Sequence, residues 1–182
     1  KTFMARDGLF KDLDAAITWH PGATNEVTTG SNAACLQMVY EFTGTAAHAA
    51  GNPWDGRSAL DGAEMMNMGV QFLREHMEPK CSIHYSIADA GGISPNVVQP
   101  KAKLVYMVRA ETVRKAKALL ARVNDIAKGA ALMSGTEVTW HQLDGTSDTL
   151  SNTVLEELLY KNPKEAPTPE YTADDRQFPA EL

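Results

Sequence analysis

The chain has 182 residues, 43% of them hydrophobic and 22% charged, with 13 Gly and 9 Pro. This is the composition of an ordinary globular chain, neither disordered nor fibrous. The 17 basic and 23 acidic residues give a net charge of −6, with no Lys/Arg cluster longer than a helix turn, which argues against a nucleic-acid partner.

No long apolar run exists, so no membrane span is expected. The opening Lys1-Thr2-Phe3-Met4 has neither a signal core nor an initiator Met, so a piece of a longer protein is expected. Met4, Leu9, Phe10 and Leu13 suggest a helical start that Gly8 breaks. Residues 15–19 form an apolar run long enough for a buried strand, ending at His20-Pro21-Gly22. Residues 21–33 are rich in turn formers and read as a loop.

A regular pattern then begins. Residues 35–43 read as a strand and 44–55 as a loop. Ser58 is an N-cap candidate with Asp61 three residues on, and apolar residues at helical spacing predict a helix over 59–77, stopped by Pro79. Residues 82–88 alternate as a strand, 91–100 form a loop, and 102–110 form a third strand. A helix is predicted over 111–128, ended by Gly129, and a fourth strand over 136–144. A short helix over 150–160 follows, then a tail from Asn162 with four prolines that reads as linker.

The order strand, helix, strand, strand, helix, strand predicts an α+β, ferredoxin-like βαββαβ domain. It is a four-stranded antiparallel sheet with two helices on one face. That fold names no function. An RNA-binding module shares the order, but the third strand offers only Tyr106 as a stacking aromatic. A stand-alone ligand-binding or regulatory domain is the other alternative. Cys35 and Cys81 read as buried free thiols rather than a disulfide framework, and the expected compartment is the cytoplasm.

Among the five histidines, His76 reads as a helix-end residue, and His84 and His141 as mid-strand packing or solvent-facing groups. His20 ends a short apolar strand, a place where ligands commonly bind, and is a candidate metal ligand. His48 lies in a run of small residues, 44–51, that leave the imidazole uncovered. It reads either as a plain exposed histidine or as a group that reaches another surface.

Phe42-Thr43-Gly44, Ala47-His48-Ala49-Ala50, Pro53, Gly56 and Ser58-Ala59-Leu60-Asp61 resemble the start of the lid, or dimerisation, domain of M20 metallopeptidases. Arg74-Glu75-His76, Gly91-Gly92, Pro95-Asn96-Val97-Val98, Pro100 and Val108-Arg109-Ala110 continue the likeness in order and spacing. It is strongest to the amidohydrolase branch that cleaves N-acyl amino acids. Trp19-His20-Pro21-Gly22 and Asp144-Gly145-Thr146-Ser147-Asp148 point within that branch to p-aminobenzoyl-glutamate as the small-molecule substrate. The resemblance implies a lid over 34–145, with 1–33 and 146–182 as flanks of a catalytic domain.

It also implies a divalent metal, zinc or manganese, in the full-length enzyme, with His20 as one ligand and the remaining ligands and base outside this chain. The fragment alone is then expected to bind no metal and to be inactive. By resemblance, His48 polarises the scissile carbonyl in the partner subunit's site, and Asn96 and Arg109 hold the substrate carboxylate.

Residues 102–109 of a strand span roughly 23 Å at about 3.3 Å each, which separates Asn96 from Arg109. Sharing across a dimer resolves this: Arg109 serves its own site, His48 and Asn96 the partner's. The strand at 81–88 is an edge with Ile83, Tyr85 and Ile87 on one side, and Met65, Met68 and Phe72 lie off the core stripe of helix 59–77. Both features predict a homodimer through these two elements. A different second subunit of a hydrolase is a further possible partner.

Overall fold

The structure, a computed structural model, describes residues 2–22, 24–166, 170–173 and 175. The chain divides into two compact units, residues 1–15 with 32–149, and residues 16–31 with 150–182.

In the first unit, after the short helix α1 (Thr2–Arg6), β1 (Ala34–Thr43) leads to α2 (Ala59–Arg74). Then come β2 (Ser82–Asp89), β3 (Lys101–Ala110), α3 (Val113–Ser134) and β4 (Glu137–Thr146). The sheet order is β2-β3-β1-β4, antiparallel throughout, with β1 and β3 central. This is the expected topology. It arises because alternate residues of β1 and β3 are apolar and buried: Leu36, Met38, Tyr40 and Phe42 on one, Leu104, Tyr106 and Val108 on the other. They pack against Ala63, Met66 and Val70 of α2 and against Val123 and Ala127 of α3.

Two phenols are buried in this core with their hydroxyls satisfied. Tyr106 donates to Asn67 Oδ1 and Tyr40 to Asn124 Oδ1, each at 2.6 Å. Ser58 caps α2 by accepting the Asp61 N–H at 3.1 Å, as the sequence predicts.

Several expectations need correction. Residues 15–19 form no strand: Ile17 and Trp19 are exposed, and no described residue supplies a ladder partner, without which an apolar run stays irregular. Helix α2 ends at Arg74, three residues before the predicted end, because the chain turns through Glu75 toward Lys80, whose φ is 64°. Helix α3 runs past Gly129 to Gly135, which terminates it at φ 66°. Buried Ala127, Ala130 and Ala131 continue its stripe, and that packing outweighs the roughly 1 kcal/mol cost of one interior glycine. Cys35 and Cys81 are free, but half-buried rather than buried.

In the second unit α4 (Thr153–Glu165) is capped by Asn152, which accepts the Leu155 N–H at 3.1 Å. It extends through Pro163, so the predicted linker begins later than Asn162. Most of that tail lies outside the described residues. Among the described residues no helix is long and apolar enough to cross a membrane.

Candidate functional site

The loops that leave β1 at Thr43 and enter β3 at Lys101 emerge from the same end of the sheet, because Thr43 pairs with Lys101. Their backbones zip together beyond it. Gly44 N–H donates to Pro100 O at 2.8 Å, Val98 N–H to Ala47 O at 2.9 Å, and Ala49 N–H to Asn96 O at 2.9 Å. His48 and Val97 face each other as an isolated antiparallel bridge. Thr45 and Arg57 exchange both backbone hydrogen bonds at 2.9 Å, which folds the arm back toward α2. Small residues permit these approaches. A Cβ on Gly44 would lie 1.9 Å from the Arg57 carbonyl oxygen, and one on Gly56 would meet Val98 Cγ1 at 2.9 Å.

At the tip of this arm the His48 side chain is exposed. Its Nδ1 accepts the N–H groups of Gly51 and Ala50 at 3.0 and 3.2 Å. A nitrogen that accepts carries no proton, so the network assigns the neutral imidazole proton to Nε2 and turns an N–H donor toward solvent. Asn96 is exposed one residue from the bridge, with its backbone tied to Ala49. The fold therefore brings His48 and Asn96 together.

Arg109 lies at the opposite end of β3. Eight residue steps from Lys101 at about 3.3 Å separate it from the arm by roughly 26 Å. It is half-buried and flanked across the ladder by Cys35 and Ser82, neither of them acidic. Among the described residues it makes no ion pair. A plain strand-end salt bridge does not explain it, whereas an open fork of donors suits a carboxylate ligand. Lys103 and Glu41, cross-strand neighbours, do pair, at 2.7 Å. That contact holds the Glu41 carboxyl below, and the Lys103 amine above, its usual range.

His20 belongs to the second unit and is exposed. Its Nδ1 lies 2.8 Å from the Pro21 carbonyl oxygen. A carbonyl only accepts, so Nδ1 carries the proton and Nε2 presents a lone pair, the opposite tautomer to His48 and the one metal-bound imidazoles use. Among the described residues no group of three or more His, Cys, Asp or Glu is placed to hold a metal ion. His20 thus fits as a single ligand, and these residues do not make a metal centre.

The amides that hold His48 are invisible to sequence reasoning. The small residues of 44–51 signalled an uncovered imidazole, but nothing in their identity says that Ala50 and Gly51 turn their N–H groups onto it.

A four-stranded sheet with two helices on one face, and an arm carrying histidine and asparagine at one end, defines a lid-type dimerisation domain. Residues 32–133 match the M20 family model described as the peptidase dimerisation domain, and the chain belongs to that family. It is 42% identical to one of the two p-aminobenzoyl-glutamate hydrolase subunits of Escherichia coli (strain K12) over 182 residues, 100% of this chain and 38% of that relative. It is 32% identical to the Xaa-Arg dipeptidase of Mus musculus over 131 residues, 72% of this chain and 30% of the relative. The chain therefore spans well under half the length of either. Among solved structures, the aminobenzoyl-glutamate utilization protein from Klebsiella pneumoniae superposes with a TM-score of 0.61 at 23% identity, covering 74% of this chain and 34% of that one. A hydantoinase/carbamoylase family amidase from Burkholderia ambifaria gives 0.64 at 18% identity, covering 75% and 34%. These likenesses show the fold.

Proposed function

We propose that the chain is the lid of a metal-dependent amidohydrolase that cleaves the amide bond of an N-acyl amino acid, with p-aminobenzoyl-glutamate as substrate. In this reading residues 34–145 are the lid, and 1–33 and 146–182 are flanks returning to the catalytic domain. The 42% identity to a p-aminobenzoyl-glutamate hydrolase chain supports the substrate. The half-buried free thiols fit the cytoplasm.

The observation that carries the mechanism is the fixed His48 ring, with Nδ1 held by two amides and the Nε2 donor outward. Such a donor stabilises negative charge as it develops on the scissile carbonyl oxygen, and it needs no reorganisation to do so. Asn96 on the same arm and Arg109 at the far end of β3 bind the substrate carboxylate. Their separation of roughly 26 Å is bridged by a dimer, in which His48 and Asn96 serve the partner's site and Arg109 its own. Zinc or manganese, when bound, supplies Lewis acidity and a nucleophilic hydroxide. His20 offers one ligand toward it.

The dimer forms through the β2 edge, residues 81–88, and the outer face of α2, where Met65, Met68 and Phe72 are 38%, 57% and 62% exposed. The two sheets join into one of eight strands. A second reading, assembly with a different subunit, is favoured by two relatives whose names make them distinct subunits of one hydrolase. Sedimentation equilibrium on the chain separates the two, since a homodimer needs no other protein.

The catalytic reading is tested with His48→Ala in the full-length enzyme. Loss of the donor should lower kcat by about 100-fold or more with little change in KM, because it acts on the transition state. Bound metal should stay constant, and an unchanged kcat would remove His48 from the mechanism.

A further inference from the structure

We propose that Arg74 fixes the register in which β2 joins its copy, placing the two-fold axis at Ser86 and pairing Tyr85 with Ile87 of the partner subunit. This rests on the homodimer reading above and adds the residue that selects one alignment among several.

The hydrogen-bond parity of the sheet decides which groups face the free edge. Gly44 N–H donates to Pro100 O, so Gly44 and Pro100 form a hydrogen-bonded pair in the β1–β3 ladder. Every second pair from there is of the same kind, including Tyr40–Leu104, Met38–Tyr106 and Leu36–Val108. Leu104, Tyr106 and Val108 thus turn their N–H and C=O groups toward β1. Their partners on β2, namely Ile87, Tyr85 and Ile83, turn theirs outward to the unpaired edge. The side chains of the same residues lie on the helix-covered face: Ile83 is buried, and Tyr85 stacks on Tyr106 at 5.3 Å.

One of the three outward carbonyls is already occupied. Arg74, in the last turn of α2, donates from Nη2 to the Ile83 oxygen and from Nη1 to Gln71 Oε1 at 2.6 Å. Its Nε is buried with no partner. The guanidinium sits on the Ile83 carbonyl as an edge-blocking charge, one of the devices by which sheets protect their edges.

Only outward-facing residues can form hydrogen-bonded pairs with a second copy. An axis at His84 pairs Ile83 with Tyr85 of the partner subunit, and an axis at Tyr85 pairs Ile83 with Ile87 of the partner subunit. Both require the blocked carbonyl. An axis at Ile87 requires pairing at Asp89, beyond the point where the β2–β3 register slips. An axis at Ser86 uses Tyr85 and Ile87 alone, with all four of their backbone groups per protomer. It also brings their side chains, 37% and 47% exposed, against each other. The second copy is the occupant because the family match is to a dimerisation domain, and because exposed Met65, Met68 and Phe72 extend the same apolar surface along α2.

Disulfide trapping tests the register. In the chain with Cys35→Ser and Cys81→Ser, a Ser86→Cys variant should cross-link nearly completely under mild oxidation. Two facing non-hydrogen-bonded residues have Cα atoms about 4.5 Å apart, within disulfide reach. His84→Cys and Ala88→Cys should cross-link at least tenfold more slowly. Adding Arg74→Met frees the Ile83 carbonyl and should make His84→Cys cross-link. If His84→Cys or Ala88→Cys traps the dimer while Arg74 is present, the register is wrong and the homodimer stands. If Arg74→Met leaves the trapping pattern unchanged, Arg74 does not set it. A monomer by sedimentation would overturn the register and the homodimer together. The cysteine series with Arg74 intact does not depend on how well Arg74→Met folds.

Discussion

His48 and Val97 face each other as an isolated antiparallel bridge, flanked by Ala47–Val98 and Ala49–Asn96 hydrogen bonds at 2.9 Å each. The candidate catalytic imidazole therefore sits on a small two-stranded arm rather than a free loop. The arm closes because Gly44 has no Cβ where the Arg57 carbonyl oxygen comes closest. Gly44→Ala should force the segments at Thr45 and Arg57 apart, at a cost of about 3 kcal/mol. Thermal unfolding and kcat, measured together, should both fall. A variant with parental melting and parental kcat would mean that the arm need not stay zipped.

Arg109→Lys should raise KM for an N-acyl glutamate by roughly tenfold, because lysine keeps the charge and loses the two-pronged hydrogen bond. The carboxamide analogue of the substrate should be much less affected. Equal increases for the two would show that Arg109 does not bind the carboxylate.

The sequence announced the strand order and both layers because β1 and β3 alternate cleanly and α3 carries a continuous stripe. The errors fell where periodicity is silent. Ile17 and Trp19 looked like a buried strand, since apolar identity cannot say whether a pairing edge exists. Gly129 looked like a stop, since a local cost cannot reveal that Ala130 and Ala131 beyond it are buried. At the candidate site, His48, Asn96 and Arg109 were legible as residues. Their arrangement was not, because backbone pairing between 47–49 and 96–98 leaves no mark on side-chain identity.

Tyr106→Phe should destabilise the chain by about 2 kcal/mol. It removes the hydroxyl that satisfies Asn67 Oδ1 at 2.6 Å and leaves that buried oxygen unpaired. Chemical denaturation with an unchanged m-value would measure it. A loss below about 0.5 kcal/mol would mean that Asn67 finds another donor.

Alkaline pH should unfold the chain through the same two phenols. Burial pushes the hydroxyls of Tyr40 and Tyr106 far above their usual value of 10.0. A folded-state value raised above the unfolded one means that the native phenol keeps its proton while the unfolded phenol gives its proton up. The contribution of each is fully present below pH 10 and declines as pH rises from there toward the folded value. The limiting slope is about 1.4 kcal/mol per pH unit for each phenol. The carboxylates act at the other end of the scale. Glu111, held low by its hydrogen bonds to Lys80 and Lys115, loses its small contribution only as pH falls below the ordinary glutamate range. Stability measured by denaturant titration should therefore be flat across neutral pH and drop steeply above 10. Tyr106→Phe, although less stable at neutral pH, should lose stability with about half the parental slope. A parental slope in that variant would show that its phenol does not drive the alkaline transition.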